Sequence, residues 1–375
     1  MYTAPSEVSA NMKKIIFLSI ILLLLCGCTA KNVENTENDN VVHYISWLTN
    51  YYENGIIFGN DTTMFLDFET MEKTVLCSKP NCNHSGGDCI AKKMGDRIAV
   101  YDGYAYFFEA SYGVDETTDG RKFRINSKLQ KASLSTSEIG TVCTFTDRYP
   151  ASSDGMILYN GDLYFIGNDL NPRYDEFGNI TGSSDAGGIH SLCSIDLDSG
   201  KYTNYGSIYD GDKEYEAAKH SSSANICGYQ DKTFYIEYNF LTGEEADSGY
   251  DSFTSIIFAY DLTTKEMKQT DKIYPASAND TAYVYGIPQS TQTVIEINGE
   301  EKFITDYRAT TNARVFNNKV FFDDCWYDLA DMSSHSLGDY EYWYAVAYYD
   351  NCYILMNGSR NEKLTEDELF ALDKK

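Results

Sequence analysis

Short runs of alternating apolar and polar residues, each ended by a polar two-residue turn, recur along the chain after residue 40. Asn-Gly or Asp-Gly marks three of these turns, and looser polar pairs mark three more. Both residues of such a turn tolerate positive φ, so the two strands can reverse with matching twist. The instances are Tyr52-Glu53-Asn54-Gly55-Ile56, Val100-Tyr101-Asp102-Gly103-Tyr104, Leu158-Tyr159-Asn160-Gly161-Asp162-Leu163, Tyr229-Gln230-Asp231-Lys232, Phe316-Asn317-Asn318-Lys319 and Tyr349-Asp350-Asn351-Cys352. The pattern predicts a series of β-hairpins.

A second motif follows each hairpin and predicts two further strands. It reads Leu66-Asp67-Phe68, Ala132-Ser133-Leu134, Ile195-Asp196-Leu197, Tyr260-Asp261-Leu262 and Tyr327-Asp328-Leu329, with degenerate copies at Ile295-Glu296-Ile297 and Ala371-Leu372-Asp373. Four antiparallel strands per unit, without helical periodicity, indicate an all-β fold: a β-propeller of six to seven four-stranded blades. Seven is preferred, although the unit around 281–305 lacks a clean first hairpin. A large β-sandwich and a β-helix are the competing folds.

The two ends of the repeat region suggest how the ring closes. The last unit ends at residues 369–372 (LFAL), which leaves no room for a fourth strand. The apolar segment 41–46 (VVHYIS) precedes the first unit and has no partner there. We therefore expect 41–46 to supply the outer strand of the last blade, so that the propeller domain spans 41–375.

The segment 12–31 (MKKIIFLSIILLLLCGCTAK) has the features of a bacterial lipoprotein signal. Lys13 and Lys14 form a positive n-region, and the apolar run that follows is too short to span a bilayer. Leu25-Cys26-Gly27-Cys28 then matches a lipobox, in which Cys28 is acylated and becomes the mature N-terminus. This predicts a signal peptide at 1–27 with its true start at Met12, a lipidated cysteine and flexible tether at 28–40, and an extracytoplasmic protein held on the cell membrane. An ordinary secretory signal and an uncleaved anchor are the alternatives.

Charge and composition narrow the range of partners. The chain carries a formal net charge of −26, with 56 Asp and Glu against 30 Lys and Arg. Such a chain is repelled by nucleic acid and by anionic lipid headgroups, so it meets the membrane through its lipid anchor only. The 32 Tyr and 19 Phe suit half-buried strands. The composition indicates an extracellular β domain.

Three long insertions are expected between the second and third strands of consecutive units, at about 110–127, 167–190 and 239–254. In an antiparallel meander these connections all lie at one end of the sheets, so the insertions rise side by side. Binding groups are often displayed on such loops. The candidate ligand-binding residues are Tyr112, Arg121, Phe123, Arg124, Arg173, Tyr174, Phe177, Phe240, Tyr250 and Phe253. Solvated surface loops pinned by a few aromatic residues are the equally open alternative.

Three cysteines and one histidine lie within thirteen residues, at Cys77, Cys82, His84 and Cys89. Thiolates and imidazole are the ligands that structural zinc prefers, and four of them complete its tetrahedron. One structural zinc is therefore the predicted cofactor, without an open position for catalysis. Disulfides are the alternative because thiols oxidise outside the cytoplasm, and the eight cysteines after Cys28 permit full pairing. Unligated thiols are the third possibility.

The lipobox, the tether, the C-x4-C-x-H-x4-C loop and the Tyr-x-Asn-Gly hairpins together resemble a group of uncharacterised β-propeller lipoproteins from Gram-positive anaerobes of the clostridial type. The loop has the form L-C-x-K-P-x-C-x-H, with Lys79, Pro80 and His84 at the positions that the pattern expects. The resemblance covers most of the chain and implies fold and location, but it brings no activity.

Motifs with catalytic meaning are missing from the sequence. It contains no H-E-x-x-H, no nucleophile elbow, no Walker loop and no Rossmann glycine pattern. We therefore expect a non-catalytic module that binds a glycan or an envelope or secreted protein through its insertions. The alternative is a propeller-type hydrolase or lyase that acts on polysaccharide through Asp or Glu at the ring axis. A structural partner of another envelope protein is a third possibility.

Overall fold

Seven small antiparallel sheets follow one another along the chain and form the ring of a seven-bladed β-propeller, which confirms the predicted fold class and the preferred blade number. The computed structural model describes residues 43–45, 50–59, 62–87, 89–95, 98–117, 120–150, 155–169, 171–174, 180–184, 189–209, 222–242, 252–270, 275–278, 282–286, 292–297, 299–304, 313–358 and 360–373. Among these residues, no helix has the length and apolar character needed to cross a bilayer.

The first half of the described chain contains three blades, together with β1, a short helix, β10 and a separate hairpin. Ahead of blade 1 lies β1 (His43–Ile45). Blade 1 comprises β2 (Asn50–Tyr52), β3 (Gly55–Phe58), β4 (Met64–Asp67) and β5 (Lys73–Val75), followed by helix α1 (Ile90–Lys93). Blade 2 comprises β6 (Ala99–Tyr101), β7 (Tyr104–Thr117), β8 (Gly120–Ser133) and β9 (Ile139–Phe145). Blade 3 comprises β11 (Met156–Tyr159), β12 (Asp162–Asn168), β15 (His190–Asp196) and β16 (Tyr202–Ser207), with β10 (Tyr149–Pro150) beside β12 and a separate hairpin of β13 (Asn171–Tyr174) and β14 (Ile180–Ser184).

Four further blades complete the ring. Blade 4 comprises β17 (Ser222–Gln230), β18 (Thr233–Thr242), β19 (Ser252–Asp261) and β20 (Glu266–Thr270). Blade 5 comprises β21 (Pro275–Ala278), β22 (Ala282–Gly286), β23 (Thr293–Ile297) and β24 (Glu300–Ile304). Blade 6 comprises β25 (Arg314–Phe316), β26 (Lys319–Phe321), β27 (Cys325–Asp328) and β28 (Ser334–Ser336), followed by a 3-10 helix (Gly338–Tyr340). Blade 7 comprises β29 (Tyr344–Tyr349), β30 (Cys352–Asn357) and β31 (Arg360–Thr365), followed by helix α2 (Glu366–Leu372).

The polar two-residue turns connect the first and second strands of the blades, as their chemistry predicts. In blade 1, however, the turn is shifted by one residue from its predicted position. Asp102 and Gly103 both have positive φ, and so do Asn160 and Gly161. In blade 1, Tyr52 pairs with Gly55, so the turn is Glu53–Asn54 and the glycine belongs to β3. A Cβ on Gly55 would lie 2.3 Å from the Leu66 carbonyl oxygen. Close packing against β4 therefore explains this glycine, and the expected Asn54–Gly55 turn is wrong.

An apolar cluster lies between every pair of adjacent blades. Between blades 3 and 4 the cluster is large and rich in aromatic rings, including Tyr164, Phe234 and Tyr260. Between blades 4 and 5 it is small and is built mainly from Tyr235, Ile257, Tyr285 and Val294. The clusters arise because alternate residues of the middle strands point to opposite neighbours, so that each blade buries both of its faces.

The ring closes through side chains of blades 7 and 1. Ile56, Leu66 and Phe68 of blade 1 pack against Val346 and Ile354 of blade 7. Hydrogen bonds cross the same junction: the Tyr51 hydroxyl donates to the Val346 carbonyl at 2.5 Å, and the Lys363 ammonium donates to the Phe68 carbonyl at 3.2 Å.

The expectation that segment 41–46 completes the last blade is wrong. Its described part, β1, pairs with β11 of blade 3, in the register His43↔Leu158 and Ile45↔Met156. The alternating pattern correctly indicated a strand, but an apolar strand of three residues fits any free sheet edge. The inner edge of blade 3 offers such an edge next to Met156 and Leu158, which share an apolar cluster with Ile45.

The C-terminal residues form a helix, so the expected strand at Ala371-Leu372-Asp373 is also wrong. Thr365 accepts a hydrogen bond from the backbone N–H of Glu368, and the Glu368 carboxylate accepts one from the backbone N–H of Thr365. This reciprocal capping box starts a helix whose Leu369 and Leu372, three residues apart, are buried. Blade 7 therefore ends after three strands.

A buried lysine ties α2 to blade 6. Lys319 is 3% exposed, and its ammonium lies 2.6 Å from Glu366 Oε1 and 3.5 Å from Asp328 Oδ2. Burial, the largest single influence, would lower the lysine pKa, but the hydrogen bond to Glu366 and the nearby charges of Asp328 and Glu366 together outweigh it, and the pKa is raised. The ammonium also lies over the Trp326 and Phe370 rings. The cation is thus held in its charged form between the two elements.

Candidate functional site

The connections between second and third strands of blades 2, 3 and 4 lie at one end of the ring, which we call the hairpin face. The opposite end, with the first-to-second and third-to-fourth turns, is the turn face. β7 and β8 stay paired as far as Thr117↔Gly120, and β18 and β19 as far as Thr242↔Ser252. In blade 3, β13 and β14 form their own two-stranded sheet. Each of the three expected insertions therefore contains paired strands rather than an irregular loop.

Most of the candidate ligand-binding residues lie on these hairpins. The Tyr112 side chain is 46% exposed and packs edge-on against Tyr149, with the ring centroids 5.9 Å apart. The backbone register places the others as follows: Arg121 opposite Glu116, Phe123 opposite Val114, Arg124 opposite Gly113, Arg173 opposite Gly182, Tyr174 opposite Ile180, Phe240 opposite Ser222 and Thr254, and Phe253 opposite Leu241. Phe177, Tyr250 and the lipidation site Cys28 lie outside the described residues.

A polar cluster that the sequence reasoning missed lies near the base of the blade 4 hairpin. The Glu237 carboxylate accepts hydrogen bonds from Asn225 Nδ2 at 3.5 Å and from Ser255 Oγ at 3.4 Å. Burial raises the pKa of Glu237, and hydrogen bonds from Asn239, Asn225 and Ser255 oppose this shift. Glu237 and Asn239 are two residues apart on β18, and they lie opposite Asn225 and Ser255 on the neighbouring strands. Isolated polar residues within strands do not allow such a cluster to be predicted from the sequence. Its oxygens can accept hydrogen bonds from ligand hydroxyl groups.

The four residues of the cysteine loop converge. The sulfur atoms of Cys77, Cys82 and Cys89 and a ring nitrogen of His84 all lie within 4.8 Å of one another, and Cys89 Sγ is 3.5 Å from His84 Nδ1. Asn81 and His84 have positive φ, which turns the chain back on itself twice. A tetrahedral metal with bonds of about 2.3 Å would place its sulfur ligands about 3.8 Å apart. The loop thus forms a group that could hold a metal ion.

The thiols of this group carry opposite pKa shifts. Burial would raise the pKa of Cys77, but backbone N–H groups of Lys79 and Ile90 and the neighbouring thiols outweigh burial and lower it. Burial is the main reason that the pKa of Cys89 is raised. Cys77, Cys82 and Cys89 are all present as free thiols, and so are the five other described cysteines. The predicted convergence of the four residues is observed, because their four ligand atoms lie within 4.8 Å of one another.

The cysteine loop lies between blades 1 and 2. After the loop, α1 packs over blade 1, where the backbone N–H of Thr63 donates to the Ala91 carbonyl at 2.7 Å. At its start, the Ser78 backbone N–H donates to Ser137 Oγ at 2.8 Å, and Ser137 belongs to the β8–β9 turn. Because that turn belongs to the turn face, the loop is not confined to the hairpin face as its position between two units would suggest. It connects neighbouring blades instead.

A Ser–His–Asp arrangement joins blade 6 to the C-terminus. His335 Nδ1 lies 3.0 Å from Asp373 Oδ2, and Nε2 lies 2.8 Å from Ser333 Oγ. A carboxylate only accepts, so Nδ1 carries the proton and Nε2 accepts from the serine hydroxyl. The ring stacks on Trp326 at a centroid distance of 4.1 Å. Asp373 lies 38 residues beyond His335, a separation that no sequence motif bridges.

The described inner strands of the blades carry no carboxylates. The first strands of the seven blades, β2, β6, β11, β17, β21, β25 and β29, contain no Asp or Glu within their described bounds. On these strands the Tyr51 side chain of blade 1 is 45% exposed, whereas Arg314 of blade 6 is 7% exposed. The described inner strands therefore offer no pair of acids at the axis.

Comparisons with known proteins find similar folds only. No protein-family model matches the chain, and no curated protein matches it. Among solved structures, it is similar to an oligogalacturonate lyase in complex with manganese, at 12% identity and a TM-score of 0.46, over 87% of this chain and 91% of the lyase. It is also similar to the acylaminoacyl peptidase of Pyrococcus horikoshii, at 13% identity and a TM-score of 0.41, over 84% of this chain and 51% of the peptidase. A tricorn protease aligns at 10% identity and a TM-score of 0.27, over 90% of this chain and 35% of the protease. At these identities and scores, the likenesses carry no argument about activity.

Proposed function

We propose that this protein is a lipid-anchored extracytoplasmic propeller, of the clostridial lipoprotein type that its sequence resembles, and that its hairpin face binds a glycan or an envelope or secreted protein. The observation that carries the proposal is the group of three hairpins on adjacent blades 2, 3 and 4. Scaffolds with one elaborated face commonly use that face for recognition. Exposed Tyr112 supports stacking on a sugar ring or packing against an apolar side chain.

The anchor is tested separately from the ligand. Cys28→Ser should move the protein from the membrane fraction to the medium and abolish incorporation of labelled palmitate. Cys26→Ser is the matched control, since the lipobox assigns acylation to Cys28 alone. Palmitate incorporation that persists in Cys28→Ser would overturn the proposed anchor.

Ligand binding is tested with residues 29–375 on immobilised xylan, pectin, chitin and peptidoglycan, and with envelope protein extracts as a second panel. A variant in which two-residue turns replace 110–127, 171–184 and 240–253 should lose the binding that the parent protein shows. Tyr112→Ala should weaken it, while Tyr205→Ala, which removes an exposed tyrosine of the outer strand β16, should not. Full binding by the stripped variant would exclude the hairpin face.

The Cys77–Cys82–His84–Cys89 group is proposed as a structural zinc site. Three thiolates and an imidazole are a donor set that zinc prefers over harder cations. A native mass spectrum of residues 29–375 should exceed the denatured mass by one zinc. His84→Ala should lose that excess, and Cys352→Ser, outside the group, should keep it. A mass deficit of two protons per cysteine pair without metal would replace zinc by disulfides.

A second function, hydrolysis of acyl esters, is favoured only by Ser333–His335–Asp373, which has the hydrogen bonds of a nucleophile, a base and an orienting acid. Against it, the Ser333 backbone N–H donates to Asp331 and is not available to an oxyanion. A fluorophosphonate probe would bond to Ser333 Oγ with release of fluoride, and His335→Ala would prevent this. An unlabelled Ser333 in the parent protein rejects the hydrolase. A polysaccharide lyase or hydrolase with axial carboxylates is less supported, because the described inner strands carry none.

A further inference from the structure

The first described strand of the chain lies at the inner edge of the ring. β1 pairs with β11, and β11 is the first and therefore innermost strand of blade 3. Ile45 is 4% exposed and shares its apolar cluster with Met156, Leu158 and Ala99. All four residues of β11 are buried, whereas no residue of the outer strand β16 is fully buried. β1 is thus a fifth strand that extends blade 3 towards the central channel.

The register fixes the direction in which the chain crosses the ring. β11 runs from the hairpin face to its turn at Asn160–Gly161 on the turn face. β1 is antiparallel to it, so His43, opposite Leu158, lies towards the turn face, and Ile45, opposite Met156, lies towards the hairpin face. β2 begins at the hairpin face as well, because it leads into the turn that precedes Gly55. Strand polarity therefore places the N-terminal end of β1 towards the turn face.

We propose that the chain enters the propeller at the turn face, crosses the channel as β1, and so directs the hairpin face away from the membrane. This inference rests on the proposed lipid anchor and deepens the proposed function by assigning the outward surface to the hairpins. The stretch from Cys28 to His43 spans at most about 50 Å when extended. A chain that leaves from the turn face holds that face towards the bilayer and leaves Tyr112 and its neighbours open to large partners.

The same strand bears on where a ligand can bind. β1 covers the inner edge of blade 3, which would otherwise offer unpaired backbone groups to the channel. A substrate that approached along the inner edge of blade 3 would meet β1 instead of β11. The hairpin face remains the proposed recognition surface.

The position of β1 is tested on the unlipidated chain, so that the result does not depend on the anchor. The pair His43→Cys and Leu158→Cys should form a disulfide that peptide mass mapping detects, and Ile45→Cys with Met156→Cys is a second pair in the same register. His43→Cys with Glu362→Cys, on the last strand of blade 7, is the matched control. A link in the control, or none in either test pair when circular dichroism shows folded protein, overturns the assignment.

The orientation is tested with the lipidated protein in vesicles of phosphatidylcholine. An epitope inserted between Thr117 and Gly120 reports on the hairpin face, and one inserted between Asp102 and Gly103 reports on the turn face. When residues 33–40 are deleted to shorten the tether, antibody binding should fall severalfold for the turn-face epitope and stay unchanged for the hairpin-face epitope. Cys28→Ser protein controls for equal recognition of both epitopes.

The outcomes separate the two proposals. If the hairpin-face epitope is the one that becomes shielded, or if both are shielded equally, the orientation is wrong even though the protein is anchored. If the protein does not associate with vesicles, the proposed anchor fails and the orientation fails with it, while the cross-links still decide where β1 lies.

Discussion

Blades 3 and 7 depart from the four-stranded blade in opposite ways. Blade 3 has an additional strand, β1, at its inner edge. Among the described residues, blade 7 has no fourth, outer strand, and α2 follows its third strand instead. The N-terminal strand of the described chain, β1, thus lies at the inner edge of blade 3, whereas the C-terminal helix, α2, lies outside the sheets. Neither element joins blade 1 to blade 7 by strand pairing.

The difference shows that this ring depends on side-chain packing for closure. The junction of blades 7 and 1 has its own apolar cluster and hydrogen bonds between blades. The junction of blades 6 and 7 is strengthened by α2, whose Leu369 and Leu372 pack with Trp326 and Leu337. We therefore expect loss of α2 to damage the ring severely and loss of β1 to affect blade 3 only locally.

The largest expected effect comes from a charge in the helix interface. Leu369→Asp places a carboxylate at a fully buried position, which should lower the free energy of unfolding by about 4 kcal/mol. Urea denaturation followed by tyrosine fluorescence measures the change. Ala371→Asp, at an exposed position of the same helix, should stay within about 0.5 kcal/mol of the parent. Equal effects of the two variants would show that α2 does not pack as described.

Removal of β1 should have a smaller effect. Ile45→Ala should cost about 2 kcal/mol, because one buried side chain is lost from the cluster of blades 2 and 3. Deletion of 41–46 should cost a similar amount in the same denaturation experiment. Ile139→Ala, at a residue 42% exposed, is the neutral control. Global unfolding of the deletion variant would instead mean that the N-terminal strand closes the ring.

The capping box gives the next smaller effect. Thr365→Ala removes the side-chain acceptor for the Glu368 backbone N–H and should cost about 1 kcal/mol. Thr365→Ser keeps a hydroxyl at the cap and should retain most of the stability. If alanine and serine behave alike in urea denaturation, the cap does not contribute to the attachment of α2.

The comparison also explains which features were predictable from the sequence. Turn chemistry at residues such as Asn160 and Gly161 acts locally, so blades and their number could be predicted. The Cys77–Cys82–His84–Cys89 group could be recognised because its four residues lie close together in sequence. The partner of β1 could not, since periodicity identifies a strand but not the edge that it joins.

The C-terminal helix and the His335 site illustrate the two other limits. α2 has only seven residues, too few for a helical period to appear, although Thr365 and Glu368 form a capping signature that was available. The contact between His335 and Asp373 is created when α2 folds back onto blade 6. Such tertiary contacts between distant residues leave no pattern in a single sequence.

The smallest expected effect is on the pH dependence of the stability that the contact between Asp373 and blade 6 provides. The pKa of Asp373 is lowered, first by the Ser336 backbone N–H and then by His335. A lowered folded-state pKa gives stability that is complete above the ordinary value of about 3.9 and is lost as the pH falls through the lowered pKa. Asp373→Asn should therefore flatten the loss of stability below about pH 4 by a few tenths of a kcal/mol, since this carboxylate is 40% exposed.

Denaturation midpoints measured between pH 3 and pH 7 would detect this change, with Asp350→Asn in an exposed turn as the control. The two ends of the chain should differ here too. Ile45 contributes to blade 3 through an apolar side chain, so Ile45→Ala should lower the midpoint by the same amount at every pH. An Ile45→Ala variant that lost the acid-dependent component would assign that component to the N-terminal strand and contradict the role given to Asp373.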